Sequence, residues 1–141
     1  MNLDSAKSLL CAVVLMTPSG LALSQAPTVR EVMEAIVAPA TDVLWAAEEP
    51  MSDEDWQAVD AAMVAVMSVG ILIKSGDAIA EMDVAWASAA KWQAYNDEMI
   101  DAAAAARRAV VGKDFQALVK AQEAIYPPCE KCHLTYHPEL Q

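Results

Sequence analysis

The chain has 141 residues, enough for one domain, and a formal net charge of −11 from 20 acidic and 9 basic side chains. This charge argues against nucleic acid and against anionic membrane surfaces as partners, because both are negatively charged themselves. Apolar residues make up 56 % of the chain, glycine is scarce at 4 residues, and β-branched residues do not form alternating runs. The composition therefore predicts an all-α fold of closely packed helices.

Residues 1–24 have the layout of a secretory signal peptide. A weakly positive start is followed by an eight-residue apolar stretch at 9–16, and the small side chains of Ala22 and Ser24 suit a signal peptidase. The apolar stretch is too short to span a membrane. We therefore expect a cleaved signal peptide and a periplasmic protein whose single domain covers residues 25–141. The alternative is a protein that stays tethered to the membrane by an uncleaved N-terminal segment.

The mature chain begins with two helical stretches. The first runs from about Pro27 to Glu48, where apolar residues recur at three- and four-residue steps. Pro39 lies inside this pattern and is expected to kink or break the helix. The second stretch starts at Ser52, which together with Asp55 resembles a capping box. Its residues 61–73 carry no charge, which is typical of a buried core helix, and Gly70 is expected to mark a close approach to another helix or to a cofactor.

Two further helical stretches complete the chain. The third runs from about Met82 to Val111, with Gly112 as its predicted C-cap. The fourth begins near Asp114, and its apolar phase continues almost to the C-terminus. Pro127 and Pro128 interrupt this phase, so we expect the helix to break there and a new helical turn to follow.

The chemically distinctive residues are Cys129, Cys132 and His133, which form C-x-x-C-H. This is the attachment signature of a c-type haem. Each thiol at this spacing can add to one vinyl group of the porphyrin, and the imidazole beside the second thiol is then held under the ring as the proximal iron ligand. Because the chain has only 3 cysteines and 2 histidines, the motif is not a by-product of composition. It predicts one covalently attached haem c with its iron.

A C-x-x-C pair is also compatible with two different kinds of site. It could form half of a zinc site, which needs two further ligands that only Cys11, His137 and carboxylates could supply. It could also be a redox disulfide, for which the expected βαβ surroundings are missing from the helical pattern. We favour covalent haem because only haem attachment gives a role to the histidine directly after the second cysteine.

With a signal peptide, four amphipathic helices and this motif, the chain resembles the class II c-type cytochromes, which are the cytochrome c′ group and its low-spin relatives. The resemblance rests on the block Cys129–His133 followed by Tyr136, with weaker support from Trp45 and from Ser52–Trp56 (SDEDW). It covers the layout of the whole mature chain. It implies an antiparallel four-helix bundle that holds one haem near one end.

The resemblance also implies a ligand set. His133 is the proximal iron ligand, and Met33 on the first helix matches the distal methionine of the low-spin relatives. In cytochrome c′ proper a bulky side chain fills this position and leaves the iron five-coordinate. Met63 and Met67 on the second helix are weaker candidates for the same role, and we expect them to be core residues. Arg30 lies one helical turn before Met33 and is a candidate contact for a haem propionate, because a guanidinium binds carboxylates bidentately.

The predicted function is electron transfer, because thioether and imidazole ligation suits both Fe(III) and Fe(II) and the thioether raises the reduction potential. The negative charge would select a redox partner with a basic patch. The alternatives are a five-coordinate protein that binds NO or CO, and a haem subunit of a larger complex; a homodimer also agrees with the resemblance. We expect no enzymatic activity, since no second catalytic cluster is present.

The four tryptophans and Tyr126 are expected to pack in the core or against the haem. His137 is expected to lie on the surface or beside the haem propionates.

Overall fold

The computed structural model describes residues 26–76 and 84–137, and the regular elements in these residues are helical. The prediction of an all-α fold is confirmed. The predicted signal peptide at 1–24 lies outside the described residues, as does Cys11. Four long helices follow one another, with a short helical turn, Val84–Ala87, before the third: α1 at 29–45, α2 at Asp53–Ser75, α3 at Ala90–Gly112 and α4 at Phe115–Tyr136.

Capping boxes start the first two helices. In α1 the amide N–H of Glu31 donates to the hydroxyl of Thr28 at 3.2 Å, and the Thr28 N–H donates back to the Glu31 carboxylate at 2.8 Å. Ser52 and Asp55 repeat this exchange at the start of α2, which confirms the predicted box. The same bonds lower the pKa of both carboxyls, chiefly through the Thr28 N–H at Glu31 and the Ser52 hydroxyl at Asp55.

Helix α1 contains a π-helical turn, Met33–Val37, between two α-helical parts. The N–H of Ala38 donates to the carbonyl oxygen of Met33, five residues back, as in a π-helix. Pro39 follows at once and has no N–H, so it cannot donate to a carbonyl in the preceding turn. The predicted disturbance at Pro39 is thus confirmed, although it takes the form of a wider turn and not of a break.

The π-helical turn changes which side chains of α1 face the core. Val32 and Val37 are both buried although they are five residues apart. Ile36 and Val43, which the helical periodicity places on the same apolar face, are instead 38 % exposed. The extra residue in the turn rotates the following part of the helix, so a constant 3.6-residue period assigns these two side chains wrongly.

Helix α3 begins and ends differently from the prediction. The third stretch is divided, because Val84–Ala87 forms a separate helical turn before α3. Gly112 is the last helical residue, not the C-cap. The cap is Lys113, whose φ of 47° lies in the left-handed region and whose N–H donates to the carbonyl oxygens of Ala109 and Val110.

Helix α4 continues through Pro127 and Pro128, so the predicted break before Cys129 is wrong. Each proline lacks the N–H that would reach a carbonyl four residues earlier, at Glu123 and Ala124. Both of these residues are exposed, where water can satisfy their carbonyl groups. Pro128 itself is buried in the apolar face of the helix, so tertiary packing holds the helical path across the missing bonds.

The core lies where α2 packs against α1 and α3, and where α3 packs against α4. Among the described helices, α2 is the one that is long and apolar enough to cross a membrane, judged by length and composition alone. In its most apolar stretch of 18 residues, 44 % of the residues are buried inside the protein. All four helices contribute to the set of large and fully buried side chains: Leu44, Val59, Met63, Val66, Ile73, Trp92, Leu118 and Ile125.

Gly70 lies where α2 meets α3. A Cβ atom at this position would be 2.7 Å from Cγ1 of Ile100 and 3.1 Å from Cε of Met99. The first distance is shorter than carbon atoms tolerate, and Cγ1 is not the free end of the isoleucine side chain. The prediction that Gly70 marks a close approach between helices is confirmed.

Gly70→Ala is expected to destabilise the protein although alanine is the better helix former. Alanine favours a helix by about 1 kcal/mol over glycine, whereas overpacking a core costs about 1–3 kcal/mol. Gly112→Ala is the matched control, because its nearest neighbour to a new Cβ would be Asp114 Cβ at 4.0 Å. Denaturant unfolding should place Gly70→Ala below Gly112→Ala by about 1–3 kcal/mol. Equal stability of the two variants would show that the helices separate easily.

Candidate functional site

The residues of the C-x-x-C-H motif lie on the C-terminal part of α4. Side chains three and four positions apart share one face of a helix, so Cys129, Cys132 and His133 point to neighbouring parts of the structure. Both thiols are half-buried and unbridged, and the Cys129 thiol donates to the carbonyl oxygen of Ile125 at 3.2 Å. The His133 side chain is exposed at the edge of this face.

Two cavities open beside this face of α4, with volumes of about 240 Å³ and about 470 Å³. They share four lining residues: Met33, Ala38, Cys132 and His133. The first, smaller cavity is also lined by Cys129 and by residues of α1, α2 and α3, among them Val37, Thr41, Trp45, Ile73, Asn96 and Met99. The second cavity is also lined by Val29, Arg30, Glu34, Trp86, Trp92, Tyr136 and His137.

Of the methionines considered as ligands, Met33 lies at the site. It lines both cavities together with His133, although the two residues belong to different helices. Met63 is fully buried in the core and lines neither cavity, and the half-buried Met67 contributes to a separate surface pocket. Met99 on α3 is a further methionine of the first cavity, 5 % exposed. Met99 follows Trp92 by two helical turns, so both lie on one face of α3, and this spacing could have identified Met99 as a buried residue.

Arg30 and His137 meet at the second cavity. Their Nη2 and Nε2 atoms are 3.2 Å apart, and because a guanidinium has only donors, the histidine nitrogen accepts this hydrogen bond. Arg30 also contacts Glu34, with Nη1 3.4 Å from Oε1. The arginine side chain is 51 % exposed and lies at the mouth of the cavity. A carboxylate that entered the cavity would thus find a guanidinium at its rim.

An aromatic cluster forms one wall of the second cavity. Tyr136 packs against Trp86 and Trp92 with ring centroids 5.3 Å and 5.1 Å apart, and the second pair is edge-to-face. The Trp92 indole N–H donates to the carbonyl oxygen of Ile73 at 3.0 Å, which joins α3 to α2. Burial raises the pKa of the Tyr136 hydroxyl, and the neighbouring Cys132 adds to the effect.

The remaining aromatic residues divide between the site and other surfaces. Trp45 lines the first cavity, and its indole N–H donates to the carbonyl oxygen of Gln122 at 3.3 Å. Trp56 is buried near the start of α2 and lines neither of the two cavities. Tyr126 is 54 % exposed and lines neither of the two cavities, so the expectation that it packs in the core is wrong. Ile125, the residue before it on α4, is fully buried, and the next side chain along a helix points in a different direction.

Burial keeps both cysteines in the thiol form. It raises the pKa of the Cys129 thiol, and it raises the pKa of Cys132 to about 11, with the negative charge of Cys129 as a second cause. Both groups are therefore protonated at neutral pH and retain the S–H bond. Within residues 26–76 and 84–137, no cluster of three or more His, Cys, Asp or Glu side chains is placed to hold a metal ion, as the zinc alternative would require.

Comparison with known proteins gave no match among family models, curated proteins or solved structures. The chemistry of the site therefore has to be argued from its own residues. These are two thiols, an imidazole and a thioether around two adjacent cavities whose walls are mainly apolar and aromatic.

Proposed function

We propose that this protein is a mono-haem c-type cytochrome that transfers electrons, with residues 25–141 forming an antiparallel four-helix bundle similar to the class II c-type cytochromes. One observation carries the proposal. The thioether of Met33 on α1 lines the same two cavities as Cys132 and His133 on α4, and Cys129 lines the first of them. Residues far apart in sequence thus line one site in a combination that would suit a covalent haem with a methionine as its second iron ligand.

The side chains fit a haem group. The two thiols are unbridged and half-buried, so they are available for addition to vinyl groups. The two cavities, of about 240 and 470 Å³, lie near the range of about 300–1,000 Å³ that is usual for cofactor sites. Aromatic rings line one side, and Arg30 lies at the mouth, where it would bind a propionate.

Haem, when bound, supplies a one-electron Fe(III)/Fe(II) couple. Cys129 and Cys132 would hold it covalently, because each S–H can add across one vinyl group, with sulfur on one carbon and hydrogen on the other, and this addition needs no oxidant. His133 and Met33, which line both cavities, would bind the iron. A thioether ligand would favour the reduced form and raise the reduction potential. Apolar side chains such as Val37 and Ile73 keep water away from the site.

The charge of the chain supports a role in protein-to-protein electron transfer. A net charge of −11 favours association with a partner that presents a basic patch, and it accelerates the encounter at low salt. We propose that the protein works in the periplasm, after export directed by residues 1–24. Its partner would bind beside the first cavity, which is lined by Cys129 and by Trp45, a residue that is 44 % exposed.

Absorption spectra of the purified protein test this proposal. The protein should be produced in a host that attaches haem c, then examined oxidised, reduced and after denaturation. We expect pigment that stays with the denatured chain, and a low-spin spectrum in both oxidation states. A protein without retained pigment would contradict the haem assignment. A high-spin ferric spectrum would contradict Met33 as a ligand and would favour the five-coordinate, gas-binding alternative.

A further inference from the structure

Both cavities are lined by residues of α1 and of α4. Among the described residues, α1 packs against α2 and α4 packs against α3, but α1 and α4 do not pack closely against each other. Direct packing therefore does not set the distance between α1 and α4 beside the cavities. That distance depends instead on the packing of each helix against its other neighbours and on the polar contacts that join the two.

Side-chain hydrogen bonds join α1 to α4 at two places. At the C-terminal end of α1, Gln122 Nε2 donates to the carbonyl oxygens of Leu44 at 2.7 Å and Ala47 at 3.1 Å. Near the N-terminal end of α1, Arg30 Nη2 donates to Nε2 of His137, the C-cap of α4, at 3.2 Å. Both candidate iron ligands lie between these two places along their helices.

The Arg30–His137 contact is next to both candidate ligands. Arg30 precedes Met33 by three residues and His137 follows His133 by four, so the members of each pair are neighbours on one side of their helix. All four residues line the second cavity. The N–H of His137 also donates to the carbonyl oxygen of His133 at 2.8 Å, which fixes the C-cap to the turn that carries the imidazole. The contact thus joins the turn with the thioether to the turn with the imidazole.

We propose that His137 is a positioning residue of the haem site, an inference that rests on the proposed function. Through Arg30 it holds the turn of α1 that carries Met33 at a fixed distance from the turn of α4 that carries His133. Both side chains can bind one iron only while this distance is kept, since a ligand bond allows little change in length. Where the turn of α1 moves away, the thioether leaves the iron and the sixth position opens.

The same guanidinium can still bind a propionate. It has several N–H groups, of which one bonds to His137 and another to Glu34, so N–H groups remain for a carboxylate at the mouth of the cavity. His137 is therefore the residue to vary, because a substitution of Arg30 would change the contact and the propionate site together.

The test compares three variants of the haem-loaded protein: His137→Leu, His137→Gln and Gln122→Leu. Leucine cannot accept the Arg30 bond, whereas the side-chain oxygen of glutamine can accept it in place of the imidazole nitrogen. Gln122→Leu is the matched control, because it removes hydrogen bonds between the same two helices at the other end of α1. It keeps the Trp45 bond, whose acceptor is the backbone carbonyl of residue 122.

His137→Leu should weaken the long-wavelength absorption band of sulfur ligation in the oxidised protein. Its reduced form should bind CO about threefold to tenfold faster than the wild type, the range expected for the loss of one hydrogen bond. The reason is that CO reaches the iron only where the thioether has left it. His137→Gln and Gln122→Leu should keep both the band and the CO-binding rate of the wild type.

The outcomes separate the two proposals. If the wild type has covalent haem but either lacks the sulfur band or keeps it unchanged in His137→Leu, the role of His137 is overturned and covalent haem stands. An equal effect in Gln122→Leu also overturns that role, because any loosening of α1 from α4 would then explain it, and so does a loss in His137→Gln as large as in His137→Leu. A wild type without covalent haem overturns both proposals. If His137→Leu fails to fold, His137→Ala is measured against the same expectations.

Discussion

The double variant Cys129→Ser/Cys132→Ser is expected to lose all pigment on denaturation, whereas the wild type keeps it. Serine has nearly the size of cysteine, but its hydroxyl does not add to vinyl groups, so no thioether can form. The two thiols line the first cavity together with His133, and each would hold one side of the ring. Mass spectrometry of the denatured chain measures the result directly, as the absence of a haem-sized mass increment.

The single variants and a neighbouring substitution define what the cysteines contribute. Cys129→Ser and Cys132→Ser should each retain less haem than the wild type through the one remaining thioether. Lys131→Gln is the control, because it lies between the two cysteines and loses only an ion pair with Glu98, whose atoms are 2.8 Å apart and half-exposed. Such a pair contributes less than about 1 kcal/mol to stability. This control should therefore carry haem as the wild type does.

Two results would contradict the assignment. Pigment that survives denaturation in the double variant would mean that the attachment is elsewhere in the chain. A wild-type chain with a disulfide between Cys129 and Cys132 and no mass increment would instead support the redox alternative. Circular dichroism of each variant checks that the helices persist, so that loss of haem is not mistaken for loss of the fold.

Local signals in the sequence predict the helices well. The start of α2 follows from Ser52 and Asp55, because a capping box needs only residues within one turn. Gly70 could be assigned to a close helix contact because it interrupts an apolar stretch in which a side chain would otherwise be expected. The motif at Cys129–His133 is likewise local, and its helical phase leaves the two thiols half-buried and the imidazole exposed at the edge of the buried face of α4.

Features that depend on tertiary packing could not be predicted in the same way. The prolines at 127 and 128 stay in a helix because Pro128 and the neighbouring Ile125 are buried against other helices, although Pro127 itself is exposed. The π-helical turn at Met33–Val37 changes the register of α1, which a fixed period does not anticipate. Asn96 and Met99 belong to the site because α1, α3 and α4 all line the first cavity. The spacing of Met99 from the buried Trp92 predicts a buried face of α3, but not the cavity that this face lines.

Met33→Leu is expected to change the ligation of the iron without loss of covalent haem. Leucine is similar in volume but has no sulfur, so the iron should lose its sixth ligand. The oxidised spectrum should become high-spin and lose the band of sulfur ligation, and reduced protein should bind CO readily. The reduction potential should fall by more than about 60 mV, a tenfold shift in the one-electron equilibrium, because the thioether that favours Fe(II) is gone.

Met99→Leu is the matched control for Met33→Leu, because it removes the other methionine sulfur from the first cavity. Both substitutions conserve volume and should each cost less than about 1.5 kcal/mol in stability. Of the two methionines in the first cavity, only Met33 also lines the second cavity, together with His133. Met99→Leu should therefore keep the wild-type spectrum. The opposite pattern, with the sulfur band lost in Met99→Leu and kept in Met33→Leu, would move the distal ligand from α1 to α3.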